Sequence, residues 1–202
     1  MTAQPVAERF ERWLGRHRIA DPAGLTEWLA HLSVARCEPG DHLVRCGEHS
    51  DTLYLLENGL VRLYYSTPEG RERNKAFYRG GQITGPVSAA ISNSAAPFSI
   101  ECLEPTEAIG FRFRDLLAAA DASPAVARLY RDLLAEAFIR NEQREAILLT
   151  ANAEQRYRWL LQNEPDLPGR VPQFHLASYL GIDAVSLSRV KRKLREYEGT
   201  AP

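Results

Sequence analysis

The stretch from Gln173 to Leu194 constrains this chain more than any other, because its residue spacing fits two helices crossing around a tight turn. Apolar side chains fall at Leu176, Ala177, Leu180, Ile182, Leu187, Val190 and Leu194, with Gly181 where the first helix must end. Gly181 can take the left-handed conformation that closes a helix, and Ala177 is small where the second helix has to pass. The pattern is a helix-turn-helix.

The second of these helices is expected to open at Asp183 as N-cap. Projected at about 100° per residue, Leu187, Val190 and Leu194 point to one side, while Val185, Ser188, Arg189 and Arg192 point away. Arg189, Lys191, Arg192, Lys193 and Arg195 follow one another without an acid until Glu196. A phosphate backbone is the natural counterpart of such a face. The predicted DNA-contacting residues are Gln173, Ser186, Ser188, Arg189, Lys191, Arg192 and Lys193. Arg189 is placed on a base edge and Arg192 on a base edge or phosphate; Gln173, Ser188, Lys191 and Lys193 hold backbone and register.

The net charge of −1 does not oppose this, because the charges are unevenly placed. From residue 153 onward eight Lys/Arg face six Asp/Glu, so the tail is mildly basic and the rest mildly acidic. That asymmetry suits a binding module joined to another domain. With 202 residues and 45% hydrophobic residues, two folded domains are expected rather than a disordered chain. Cys37, Cys46 and Cys102 are scattered in apolar stretches without a metal or disulfide spacing and are read as core residues. No run approaches the ~20 apolar residues of a membrane span, and a cytoplasmic location is expected.

Residues 5–32 carry two amphipathic helical patterns, around Phe10, Trp13 and Leu14 and around Leu25, Trp28, Leu29 and Leu32, separated by the helix-start signal Asp21-Pro22. From Val34 to Phe113 the pattern changes to short apolar runs punctuated by glycine: 42–46, 52–56, 60–65, 75–78, 98–103 and 108–113. Strands of this length and spacing predict a β-roll or sandwich. Glu57-Asn58-Gly59 is expected to form a tight hairpin. A helix is predicted over 114–120, and Ser123-Pro124 then opens a helix running to Thr150, about 40 Å long. Its apolar residues lie on more than one face, so a second copy along it is expected. A further helix spans 153–163, and 165–172 connects it to the helix-turn-helix.

In order and content, these elements resemble the catabolite-activator and fumarate-nitrate-regulator (Crp/Fnr) superfamily of bacterial transcription factors over nearly the whole chain. The resemblance rests on Glu38-Pro39-Gly40-Asp41, Gly47-Glu48, the run Asp51 to Tyr65, the Gly80/Gly81 to Gly85 turn, and Arg170-Val171-Pro172-Gln173 through Ser188-Arg189. It implies an α+β fold: N-terminal helices (1–33), a cyclic-nucleotide-binding-like jelly roll (34–120), a dimerisation helix (121–152) and an all-α helix-turn-helix domain (153–202). It further implies a homodimer through the 123–150 helix that binds double-stranded DNA, with RNA polymerase as a further candidate partner.

Three departures qualify what the resemblance implies. Cyclic-nucleotide members place a Gly-Glu pair on the ribose and an Arg-Ser or Arg-Thr pair on the phosphate; here Gly85 is followed by Pro86, and Phe98 stands before Ser99 in the arginine's place. A cyclic phosphate without its cation carries a desolvation cost on the order of several kcal/mol, so tight cAMP or cGMP binding is not expected. The pocket expected from Gly85, Pro86, Val87, Phe98, Ser99 and Ile100, with Asn141 and Glu142 near a ligand's far end, suits a weakly polar effector of unknown identity or is filled by its own side chains. No cofactor is predicted. After Leu194 the β-hairpin wing of the family is expected to be reduced or missing. At the reading positions, Ala184 and Val185 stand where polar readers are common.

The sequence also admits two rival readings. A constitutive DNA-binding dimer with a disused roll accounts for the altered cassette. A cupin-like metalloenzyme using His42, Glu48, His49 and Glu57 lacks the His-x-His pair that would clamp a metal. Ser88 and Ser99 lie in no nucleophile turn, and His175 is read as an exposed helical residue. No enzyme activity and no metal site are expected.

Overall fold

The computed structural model describes residues 4–19 and 25–198, so the Asp21-Pro22 signal lies outside the described residues. The elements are α1 (Val6–Arg16), α2 (Thr26–Ala30), β1 (Ser33–Cys37), β2 (His42–Val44), β3 (Thr52–Leu56), β4 (Leu60–Ser66), β5 (Glu72–Arg79), β6 (Ile83–Thr84), α3 (Val87–Ser92), β7 (Ser99–Cys102) and β8 (Thr106–Arg112). They continue with α4 (Phe113–Ala122), α5 (Pro124–Thr150), α6 (Ala153–Asn163), α7 (Leu167–Arg170), α8 (Gln173–Tyr179) and α9 (Ala184–Glu198).

The strands form two four-stranded sheets, ordered β1-β8-β3-β6 and β2-β7-β4-β5. Period-two alternation on the first sheet builds two layers of core at once. On β3 and β8, Leu53, Leu55, Ile109 and Phe111 join Phe10, Trp13, Leu14, Trp28, Leu116 and Val126 beneath the helices. Leu56 and Ala108, from the opposite face, meet Val44, Val61, Leu63, Phe98, Ile100 and Cys102 of the second sheet and fill the roll. Each large side chain buried this way stabilises the fold by about 1.5–3 kcal/mol.

Contacts divide the chain into two compact units: residues up to Ser66 with Ala76–Glu136, and Thr67–Lys75 with the chain from Ala137 onward. The division falls inside α5, a continuous 27-residue helix.

Several expectations are corrected. Glu57-Asn58-Gly59 does not close a hairpin, because β3 and β4 lie in different sheets. Gly59 alone has positive φ there, +86°, and the chain uses it to cross from one sheet to the other. The 42–46 run stops as a strand at Val44, so Cys46 sits exposed in a turn instead of in the core; Cys37 is half-buried and Cys102 buried. The 165–172 connection contains one helical turn, α7. Helix α9 continues past Leu194 to Glu198, and the remainder of the expected wing region lies outside the described residues.

Candidate nucleic-acid interface

Local chemistry explains the shape of the second unit's helix-turn-helix. Gly181 ends α8 with φ +66°, and the Ile182 N–H reaches back to the Ala177 carbonyl at 3.0 Å, closing the last turn. Asp183 then caps α9: its carboxylate accepts from the Ser186 N–H at 2.8 Å and the Ser186 hydroxyl at 2.7 Å. Helix α9 packs on α6 and α8 through Leu187 and Leu194, both buried, with Val190 half-buried.

The bonds from Ser186, its N–H first, hold the Asp183 carboxyl below its ordinary pKa. A lowered carboxylate pKa means the capping stabilisation is complete above the unfolded-state value and is lost as pH falls through the lowered one. Far-UV circular dichroism from about pH 5 downward is therefore expected to show α9 loosening in acid, with the slope reduced in Asp183→Asn.

The predicted DNA-contacting residues separate into engaged and outward groups. Val185, at 60% exposure, and Arg189 and Arg192 stand in solvent on one face of α9. Arg192 makes a long i,i+4 approach to Glu196, 3.8 Å. Lys191 is half-buried. Gln173 Nε2 donates to Ser188 Oγ at 2.5 Å and to the Ala184 carbonyl at 3.4 Å, tying the start of α8 to α9. Ser186 is committed to the cap. Lys193 donates to Glu154 at 2.8 Å, and that bond, with those from Arg158, keeps the Glu154 carboxyl below the usual range. An exposed pair of this kind contributes little to stability.

The residues that mount the motif were not foreseen. Arg156 on α6 donates to Leu148 O at 2.9 Å, Ala151 O at 2.9 Å and Leu180 O at 3.0 Å, joining the end of α5 to the end of α8. Arg144 on α5 donates to Asn74 O at 2.9 Å and Tyr179 O at 3.0 Å, with its guanidinium 4.7 Å from the Tyr179 ring centre. His175 is buried instead of exposed: the Asn74 side-chain amide donates to its carbonyl at 2.9 Å and lies 3.2 Å from its Nδ1. Ser178 Oγ accepts from the Asn74 N–H at 3.0 Å.

The residues expected to line a ligand pocket fall in both units, 85–87 and 98–100 in the first and Asn141 and Glu142 in the second. Phe98 and Ile100 are packed into the roll core, while Val87 packs against the separate cluster beneath the helices. Ser99 is buried, and its hydroxyl accepts from the Cys46 N–H at 3.0 Å. Pro86 is buried before α3 and Gly85 precedes it. Asn141 and Glu142 are exposed on α5. A cavity of about 120 Å3 lies elsewhere, between α1 and the end of β3, lined by Arg9, Arg12, Trp13, Arg16 and Glu57 among others. Among the described residues no three His, Cys, Asp or Glu side chains gather as metal ligands, and no helix is long and apolar enough to cross a membrane.

Comparison with known proteins bears on both units. Residues 34–123 match the cyclic nucleotide-binding domain. Among solved structures, a putative transcriptional regulator of the Crp/Fnr family from Eubacterium rectale superposes with a TM-score of 0.72 at 16% identity, covering 93% of this chain and 89% of that one. FixK2 from Bradyrhizobium japonicum gives 0.71 at 19% identity over 83% and 86%. The c-di-GMP responsive regulator CLP from Xanthomonas campestris gives 0.68 at 19% identity over 88% and 93%. No curated protein matches the chain.

Proposed function

We propose, for a chain that carries a cyclic nucleotide-binding domain and has the fold of the Crp/Fnr regulators, that it is a homodimeric, sequence-specific DNA-binding regulator of transcription. The observation that carries this reading is α9: capped by Asp183, anchored by buried Leu187 and Leu194, and presenting Val185, Arg189 and Arg192 outward. Such a helix fits the major groove, where an arginine fork reads guanine and an apolar group meets the thymine methyl. Two copies pair through α5, on which Leu134, Phe138 and Leu149 fall on one stripe at 40%, 68% and 76% exposure. Pairing would bring two reading helices onto half-sites about 34 Å apart.

The reading is tested by selecting bound duplexes from a random pool, titrating the selected site by fluorescence anisotropy, and measuring the stoichiometry by sedimentation. Arg189→Ala is expected to cost about 1–3 kcal/mol on the selected site and to relax its sequence preference. Lys193→Ala is expected to weaken all duplexes alike and to lower the salt slope by about one. Equal effects of the two substitutions would refute this division of roles. A monomer indifferent to every duplex at low salt would refute the function.

The roll supports two readings of the signal. Pro86 and Phe98 stand where the resemblance would put the ribose-binding Glu and the phosphate-neutralising Arg of a cyclic nucleotide site, which supports an effector other than cAMP or cGMP, or none. The packing of Phe98 and Ile100 into the core favours the second, a constitutive DNA-binding dimer. A thermal-shift panel separates them, since a ligand selective for the native state raises Tm by mass action.

A further inference from the structure

Cys37 closes β1, the edge strand of the first sheet, and Cys102 closes β7 in the second. The turn following Cys37 clasps Cys102 by its backbone: Gly40 N–H donates to the Cys102 carbonyl and Cys102 N–H to the Asp41 carbonyl, each at 2.8 Å. The Cys37 side chain packs against the roll cluster that contains Cys102. Cys46, the third thiol, sits apart on the exposed turn.

We propose that Cys37 and Cys102 form a reversible disulfide that staples the two sheets of the roll at this end. Exposure assigns the roles. Cys37 is half-buried on an edge strand and is the thiol that an oxidant reaches, whereas Cys102 is fully buried. Burial, and next to it the neighbouring Cys37, push the Cys102 thiol up to about 12, so it stays protonated until its partner has reacted.

The oxidant is a hydroperoxide. The Cys37 sulfur takes one peroxide oxygen, the O–O bond breaks, and a sulfenic acid and water (or an alcohol) result. The Cys102 sulfur then attacks the Cys37 sulfur; the S–S bond forms, the S–O bond breaks, and the departing hydroxide leaves as water with the Cys102 proton. The two thiols supply two electrons and the peroxide accepts them. A dithiol reductant reverses the step by exchange.

The experiment treats the full chain with hydrogen peroxide, quenches it with an alkylating agent under denaturing conditions, and maps the peptides. The expected result is a mass loss of two hydrogens with Cys37 and Cys102 in one linked peptide pair, restored by dithiothreitol. The oxidised protein is expected to melt higher by on the order of 5–15 °C. Cys46→Ser is expected to keep the link and Cys37→Ser to abolish it; should Cys37→Ser fail to fold, mapping of the Cys46→Ser protein decides alone. Cys37 and Cys102 remaining separately alkylated while Cys46 oxidises, or a link made through Cys46, would overturn the proposal. The inference is independent of DNA binding.

Discussion

Replacing Leu187 by alanine is expected to destabilise the helix-turn-helix while leaving every outward side chain of α9 in the sequence. Leu187 is 0% exposed on the inner face of α9, in a unit whose other buried residues include Tyr157, Leu160, Leu176, Ala177 and Leu180. Truncation removes the transferred apolar surface and leaves a cavity that neighbouring helices close only in part, together costing about 2–5 kcal/mol. Whole domains of this kind are stable by only about 5–15 kcal/mol. Urea unfolding followed by tryptophan fluorescence reports on this unit through Trp159, whose ring lies 6.5 Å from that of Tyr179. The midpoint should fall with an unchanged slope, and specific DNA affinity should fall with it. Val185→Ala, on the exposed face, is the control and should shift stability by no more than about 0.5 kcal/mol. Equal midpoints for the two variants would show that α9 is not anchored through Leu187.

A comparable loss is expected in the roll from Gly59→Ala. A Cβ built on Gly59 falls 2.2 Å from Thr106 Oγ1 and 2.8 Å from both its Cα and Cβ, so the collision is with backbone as well as side chain. The residue also holds φ at +86°, which an L side chain adopts at a cost of about 1–2 kcal/mol. Overpacking adds about 1–3 kcal/mol, and Tm is expected to fall by about 5–15 °C. Gly40→Ala isolates the torsional part, because φ there is +94° and nothing lies within 4 Å of its Cβ position. Calorimetry should therefore show the smaller loss for Gly40→Ala; equal losses would remove the steric argument at the sheet crossing.

What could be read from the sequence follows from where each signal is stored. Asp183 as a cap, Gly181 as a stop, and the limits of α5 and α6 are written within a few residues of the feature itself, and they match the structure. The sequence around Gly59 marks where strand β3 breaks off but not the partners on either side, and the expected hairpin is absent, because pairing depends on β8 and β7, some forty to fifty residues away. Strand β1 (Ser-Val-Ala-Arg-Cys) was not distinguished, since nothing in five residues without glycine signals the ladder it makes with β8. The exposed arginines of α9 were legible as a face; the tie between Gln173 and Ser188 was not, because it needs the crossing of two helices. Burial of His175 likewise depends on Asn74, a hundred positions earlier.

Arg144 and Arg156 grip main-chain oxygens of Tyr179 and Leu180, atoms that every amino acid supplies. Their hold on α8 therefore survives side-chain replacement along the motif, provided the helix keeps its course. Descendants of such a chain can exchange the outward residues of α9 one by one, while the bracket beneath stays fastened. The same economy makes the two arginines a single point of failure, since nothing about the rewritten surface could compensate for their loss.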